Sequence, residues 1–208
     1  MKKLIIFDFD GVIADTMPDI LRNSNLAAEK MGFSGTSTQE MVRNLKEMSF
    51  EELGRAMGIT ENMIEEFVKN ILSFFSSKNS NPSIFSEMKE ALKELAKNNF
   101  LSIITNNSRK AVNQFLLQNS LKDTFELIVD NDIPGSRTEK ILSTQKHFDI
   151  AKENVYFVGD AVSDVEAAKE AAVHSIAVAW GNQDSQMLKD SSPEFIINTP
   201  SEILEIIK

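Results

Sequence analysis

Six short apolar runs punctuate the chain: "LIIF" at Leu4–Phe7, "LSIIT" at Leu101–Thr105, "ELIV" at Glu126–Val129, "VYFV" at Val155–Val158, "SIAVA" at Ser175–Ala179 and "FII" at Phe195–Ile197. Each is rich in β-branched or aromatic residues and too short for a helix, which predicts strands buried on both faces of a sheet. Between them the spacing changes to that of amphipathic helices. In "EMKEALKELAKNN", Met88, Leu92 and Leu95 share one face with lysines and glutamates opposite. "SRKAVNQFLLQNS" and "SDVEAAKEAA" read the same way. Strands alternating with helices imply an α/β fold, a parallel sheet core with helices on both faces.

Residues from Met17 to about Ser83 break this rhythm and hold the first two strands far apart, well beyond an ordinary strand–helix connection. "DILRNSNLAAEKMG", "STQEMVRNLKEM", "SFEELGRAMG" and "TENMIEEFVKNILSFF" all carry helical patterns, with Gly32, Gly54 and Gly58 as stop signals. The expected organisation is a core of residues 1–16 and 84–208 with an inserted α-helical subdomain, residues 17–83. "SSKNSNPS" (Ser76–Ser83) is the expected return linker. Met31, Met41, Met48, Met57 and Met63 are spread through the insertion and read as its core.

Composition narrows the function. The apolar fraction is 42% and the charged fraction 25%, as in ordinary globular proteins. A net charge of −9, spread along the chain, argues against a nucleic-acid partner, which normally calls for a basic stripe. An anionic substrate is still compatible, since a metal ion and local donors can reverse the field in one cleft. The absence of cysteine excludes disulfides, thiolate metal sites and cysteine nucleophiles. No run approaches the roughly 18 apolar residues of a membrane span, and "MKK" leads straight into a strand, so the expectation is a cytoplasmic protein with no membrane partner. A monomer or homodimer is expected.

Reactive side chains gather where the predicted strands end. The first run ends in Asp8 and Asp10, the second in Thr105, Asn106 and Asn107, and the fourth in Gly159 and Asp160 with Asp164 following. Ligands of open parallel sheets bind outside the carboxyl ends of the strands. If these three strands are neighbours, four carboxylates and a hydroxyl converge, and they would repel unless a cation neutralised them. Oxygen-only ligands point to a hard cation, with Mg²⁺ favoured. The alternative is that each aspartate ends a strand or caps a helix.

"DFDGVIADT" resembles the first motif of the haloacid dehalogenase superfamily, D-x-D-G-x-[VIL]-x-D-[ST]; "SIITNNS" resembles its second motif and "VYFVGDAVSD" its fourth. The long helical insertion after the first motif matches as well, and "VAWG" and "TPSEIL" are most similar to the phosphoglycolate phosphatase-like branch. The resemblance implies a Rossmann-like core with a helical cap and a Mg²⁺-dependent phosphatase acting on a small phosphorylated metabolite. It implies Asp8 as nucleophile and Asp10 as general acid and base. Asp8, the Asp10 carbonyl, Asp160 and Asp164 would form the metal site, while Gly11, Thr105 and Asn106 would meet the phosphoryl group.

The third motif departs from the pattern, which expects a lysine near a helix start, often followed by proline. In "DIPGSRTEKILSTQKHF", Lys140 is the candidate and Arg137 its rival. Asp10 argues against dehalogenase, whose members of this superfamily lack the second aspartate. A sugar-phosphate mutase, a phosphonate hydrolase drawing on Lys30, Lys46, Lys69 or Lys78, and a silent binding module are the other readings. No histidine falls in the insertion, since His147 and His174 lie outside it. Arg43 and Lys46 in "MVRNLKEMS" are the first places to look for specificity.

Overall fold

Every residue of the first strand, β1 (Leu4–Phe7), is buried. Ile5 and Phe7 join the apolar cluster on one face of the sheet, and Leu4 and Ile6 join the cluster on the other, which is why the run is continuously apolar. A computed structural model describes residues 2–76 and 81–208. Residues 77–80 of the expected linker Ser76–Ser83, Lys78 among them, lie outside the described residues.

The remaining core strands are β4 (Phe100–Ile104), β5 (Leu127–Val129), β6 (Val155–Gly159), β7 (His174–Val178) and β8 (Phe195–Ile197). They form a six-stranded sheet in the order β5-β4-β1-β6-β7-β8, with every pairing parallel. The three strands that end in polar residues are therefore neighbours, with β1 between β4 and β6. The chain leaves β1 in one direction for β4 and β5 and then crosses back to β6. That reversal opens a crevice at the carboxyl ends of β4, β1 and β6.

Helices cover both faces. α5 (Met88–Leu95), α6 (Arg109–Gln118) and α10 (Ile203–Ile206) pack on the Ile5–Phe7 side. On the opposite side lie α7 (Arg137–Phe148) and α8 (Val162–Ala171), with Ile141, Ala167, Ala168 and Ala171 meeting Leu4 and Ile6. α9 (Ser185–Asp190) adds Leu188 to Val165 and Ala177. His174 starts β7, stacks on Tyr156 and pairs with Glu194 at 2.6 Å, well away from the strand ends at issue.

A two-stranded antiparallel ribbon, β2 (Ala14–Asp15) with β3 (Ser83–Ile84), marks where the chain leaves and re-enters the sheet. Between them lie α1 (Met17–Lys30), α2 (Gln39–Arg43), α3 (Phe50–Ala56) and α4 (Ile64–Ser76). They bury their own clusters, one centred on Ala27, Phe67 and Ile71 and another on Met17, Val42 and Leu53. Met31, Met48, Met57 and Met63 all pack into these clusters.

Two local expectations need correction. Gly54 stops no helix: it lies inside α3, and a Cβ there would come within 2.8 Å of Phe67 and 2.9 Å of Ile64. It is a close-packing position between α3 and α4. The helix expected over "STQEMVRNLKEM" is confined to the five residues of α2. Thr38 accepts from the Met41 N–H at 3.1 Å to start it, and the Asn44 amide donates to the Glu40 carbonyl at 2.9 Å to close it.

Candidate active site

Asp8 follows the last residue of β1, and its N–H donates to the Val158 carbonyl at 2.8 Å, carrying the pairing with β6 one residue further. Phe9 then turns into the core, edge-on to Phe115 at 5.0 Å. The backbone curls back at once, with the N–H groups of Ile13 and Ala14 both donating to the Phe9 carbonyl at 3.0 Å. Gly11 sits in this curl with φ +73, and a Cβ there would overlap the Asp160 carboxylate and reach the Asn182 amide at 2.6 Å. Its bare backbone thus lies against Asp160. Gly181 packs against Asp160 in the same way, and Gly159 against Asp164. Trp180 braces the curl by donating to the Val12 carbonyl at 3.2 Å.

These contacts gather Asp8, Asp160 and Asp164, each offering an oxygen within 4.8 Å of the others. Their exposures of 7%, 4% and 2% mean that water screens them little. Burial first, then the neighbouring carboxylates, raises Asp160 well above the usual carboxylate range. Asp164 is raised too, chiefly by burial, with Arg137 opposing the shift. Asp160 accepts from the Asn182 N–H at 2.7 Å, and Asp164 accepts from the Ala161 N–H at 3.2 Å.

Asp10 stands apart from this trio and half-buried. Burial and the charge of Asp8 push it up to about 7, against a lowering hydrogen bond from Asn107. That bond runs from the Asn107 amide to Asp10 Oδ2 at 2.7 Å. Asn107 is held in turn by its own N–H, which donates to Thr105 Oγ1 at 3.0 Å, and by its carbonyl, which accepts from the Asn131 N–H at 3.2 Å. Thr105 is buried where β4 ends beside β1, whereas Asn106 is exposed. Asn107 was legible only as part of a strand end; its link to Asp10 depends on the β4–β1 register.

The third-motif rivals separate clearly. Ser136 caps α7 and exchanges hydrogen bonds with Glu139, so Arg137 is the first helical residue. Its Nη1 donates to Asp8 Oδ1 at 2.6 Å, and its Nε stands 3.2 Å from Asp164 Oδ1. Burial works against its charge, but Asp164 and Asp8 hold its pKa above even the usual arginine value. Lys140, one turn later, turns its ammonium to the Asp130 carbonyl at 3.1 Å and is spent inside the fold. Of the two rivals, the fold brings Arg137 to Asp8 and Asp164 and turns Lys140 to the Asp130 carbonyl.

The donor set suits a hard divalent cation. Three buried carboxylates face one guanidinium, an imbalance of charge in a poorly solvated spot. Asp164 Oδ1 is buried and pairs with Arg137 Nε at 3.2 Å, but accepts no hydrogen bond among the described residues. No sulfur or imidazole is in the group.

A family description, haloacid dehalogenase-like hydrolase, matches residues 5–178. A phosphoglycolate phosphatase of Synechococcus elongatus is 26% identical over 209 residues, covering 98% of this chain and 96% of that protein. One from Vibrio vulnificus is 27% identical over 220 residues, covering 99% and 96%. Among solved structures, a haloacid dehalogenase-like family hydrolase from Streptococcus pneumoniae superposes with a TM-score of 0.88 at 20% identity, covering 100% of this chain and 99% of that one. Among the described residues no helix is long and apolar enough to cross a membrane.

Proposed function

Because this chain belongs to the haloacid dehalogenase-like hydrolases, we propose that it is a phosphatase that transfers the phosphoryl group of a small metabolite first to Asp8 and then to water. The observation that carries this reading is the divergence of Asp8 and Asp10. Two identical side chains two residues apart have been given different surroundings, Asp8 against Arg137 and Asp10 pushed up to about 7. Such a split suits one carboxylate to attack and the other to move protons.

An Asp8 oxygen forms the new bond to phosphorus as the bond to the leaving oxygen breaks, and Asp10 delivers its proton to that oxygen. Asp10 then takes a proton from the water that attacks phosphorus, which frees phosphate and restores Asp8. Asn107 keeps the Asp10 carboxyl aimed throughout. Arg137, Thr105 and the backbone N–H groups after Asp8 stabilise charge on the transferring oxygens, the main demand of phosphoryl transfer. Asp8, Asp160 and Asp164, with the Asp10 carbonyl, would hold Mg²⁺, which when bound offsets the acidic cluster and polarises phosphoryl oxygens.

The helices of residues 17–83 act in this reading as a cap over the sheet edge, excluding water and supplying specificity. The names of the relatives make 2-phosphoglycolate the first compound to test, within a panel of phosphorylated metabolites. Hydrolysis of p-nitrophenyl phosphate across a Mg²⁺ titration tests the class. Turnover that depends on Mg²⁺ and vanishes in Asp8→Asn supports it; no hydrolysis at any metal concentration overturns it.

A further inference from the structure

Three consecutive residues after β7 touch three different parts of the molecule. The Asn182 N–H donates to Asp160 Oδ2 at 2.7 Å. The Gln183 side chain accepts from the Val162 N–H at 2.7 Å and donates to the Leu45 carbonyl at 2.6 Å. The Asp184 N–H donates to the Arg43 carbonyl at 2.9 Å. Gln183 is 2% exposed; its bond to Leu45 is buried and its bond from Val162 is partly so.

Each bond answers a specific need. α8, which carries Asp164, begins after Ala161, a residue with no side-chain acceptor for the free N–H groups of a helix start. Gln183 Oε1 supplies that acceptor from another part of the chain. On the other side, the turn after α2 offers backbone carbonyls, and its two bonds to residues 183 and 184 involve no side chain of Arg43 or Lys46. Both of those side chains are exposed. The amide of Gln183 joins the turn to the α8 start, and its two ends are chemically distinct: only oxygen can accept from Val162, and only nitrogen can donate to Leu45.

We propose that Gln183 is a positioning residue: it latches the α2–α3 turn onto the start of α8 and so couples the docking of the helical insertion to the acidic cluster. The coupling to catalysis rests on the phosphatase reading, but the latch itself can be read without turnover. Gln183→Glu keeps an acceptor for Val162 and sets a carboxylate against the Leu45 carbonyl, while Gln183→Met removes both bonds at similar size. Hydrogen exchange followed by NMR, on full-length protein without substrate, reports the Val162 and Asp184 amides separately.

In Gln183→Glu the Asp184 amide should lose protection by roughly tenfold while Val162 keeps its own; in Gln183→Met both should lose it by about that factor. General destabilisation would not divide the two amides in this way. Native protection of Asp184 in Gln183→Glu, or equal loss at both amides in that variant, overturns the latch. Failure of the phosphatase reading would show instead as absent turnover in the parent protein, with these exchange rates unaffected.

Discussion

Arg137 Nη1 lies 2.6 Å from Asp8 Oδ1, so the side chain that ends the central strand is held by the first residue of α7. The same guanidinium faces Asp164 through Nε at 3.2 Å. A planar fork can serve both carboxylates at once, which a lysine ammonium in the same place would not. Arg137→Ala should lower kcat by on the order of a hundredfold or more, the scale of losing a donor to developing charge. Arg137→Lys should recover part of the loss, and Lys140→Met should cost less than Arg137→Ala. Steady-state kinetics on p-nitrophenyl phosphate rank the three; a larger loss in Lys140→Met would return the bridging role to Lys140.

Asp10→Asn separates proton transfer from attack. p-Nitrophenolate leaves without help, whereas an alkoxide needs a proton, so the variant should lose more rate on alkyl than on aryl phosphates. The deficit on alkyl esters should be about a hundredfold to ten-thousandfold. Equal losses on both classes would remove Asp10 from that role.

Gly11→Ala should damage the site from the backbone side. The added Cβ would overlap the Asp160 carboxylate, at a φ of +73 that disfavours any side chain. A drop of several degrees in melting temperature together with near loss of activity is expected. Full activity in the variant would show that Asp160 need not stand where it does.

The acidic cluster gives a pH signature in metal-free protein. Burial and neighbouring carboxylates raise Asp160 and Asp164, so the folded chain binds protons there that the unfolded chain releases. Their favourable contribution is complete below the unfolded value of about 4 and is lost as pH rises through the raised values. In chelator, the melting temperature should fall from about pH 5 to pH 8, and Mg²⁺ should restore it at the upper end. Asp160→Asn should flatten the slope and melt higher than the parent at pH 8 without metal. An unchanged slope would contradict the assignment.

The fold was readable in the sequence because both faces of the sheet are covered, which makes each strand a short apolar run with no alternation to misread. Strand ends brought Asp8, Asp160 and Asp164 into view, and the order of the sheet then made them neighbours. What escaped is what depends on distance between segments. Lys140 and Arg137 differ by one helical turn, and what separates them is the contact of Arg137 with Asp8 and the reach of Lys140 to the Asp130 carbonyl. Gln183 bonds to the backbone at both ends, so its partners leave no mark in residue type. Gly54 read as a helix stop because contact with Phe67 across two helices has no local pattern.

Passage of the phosphoryl group through Asp8 is tested by following that group itself. Asp10→Asn incubated with p-nitrophenyl phosphate and Mg²⁺ should still be phosphorylated but release phosphate slowly, so that a covalent adduct accumulates. Peptide mapping by mass spectrometry should place one phosphoryl group on Asp8. Phosphate on any other residue, or steady p-nitrophenol release with no adduct, would remove Asp8 from the nucleophile's role.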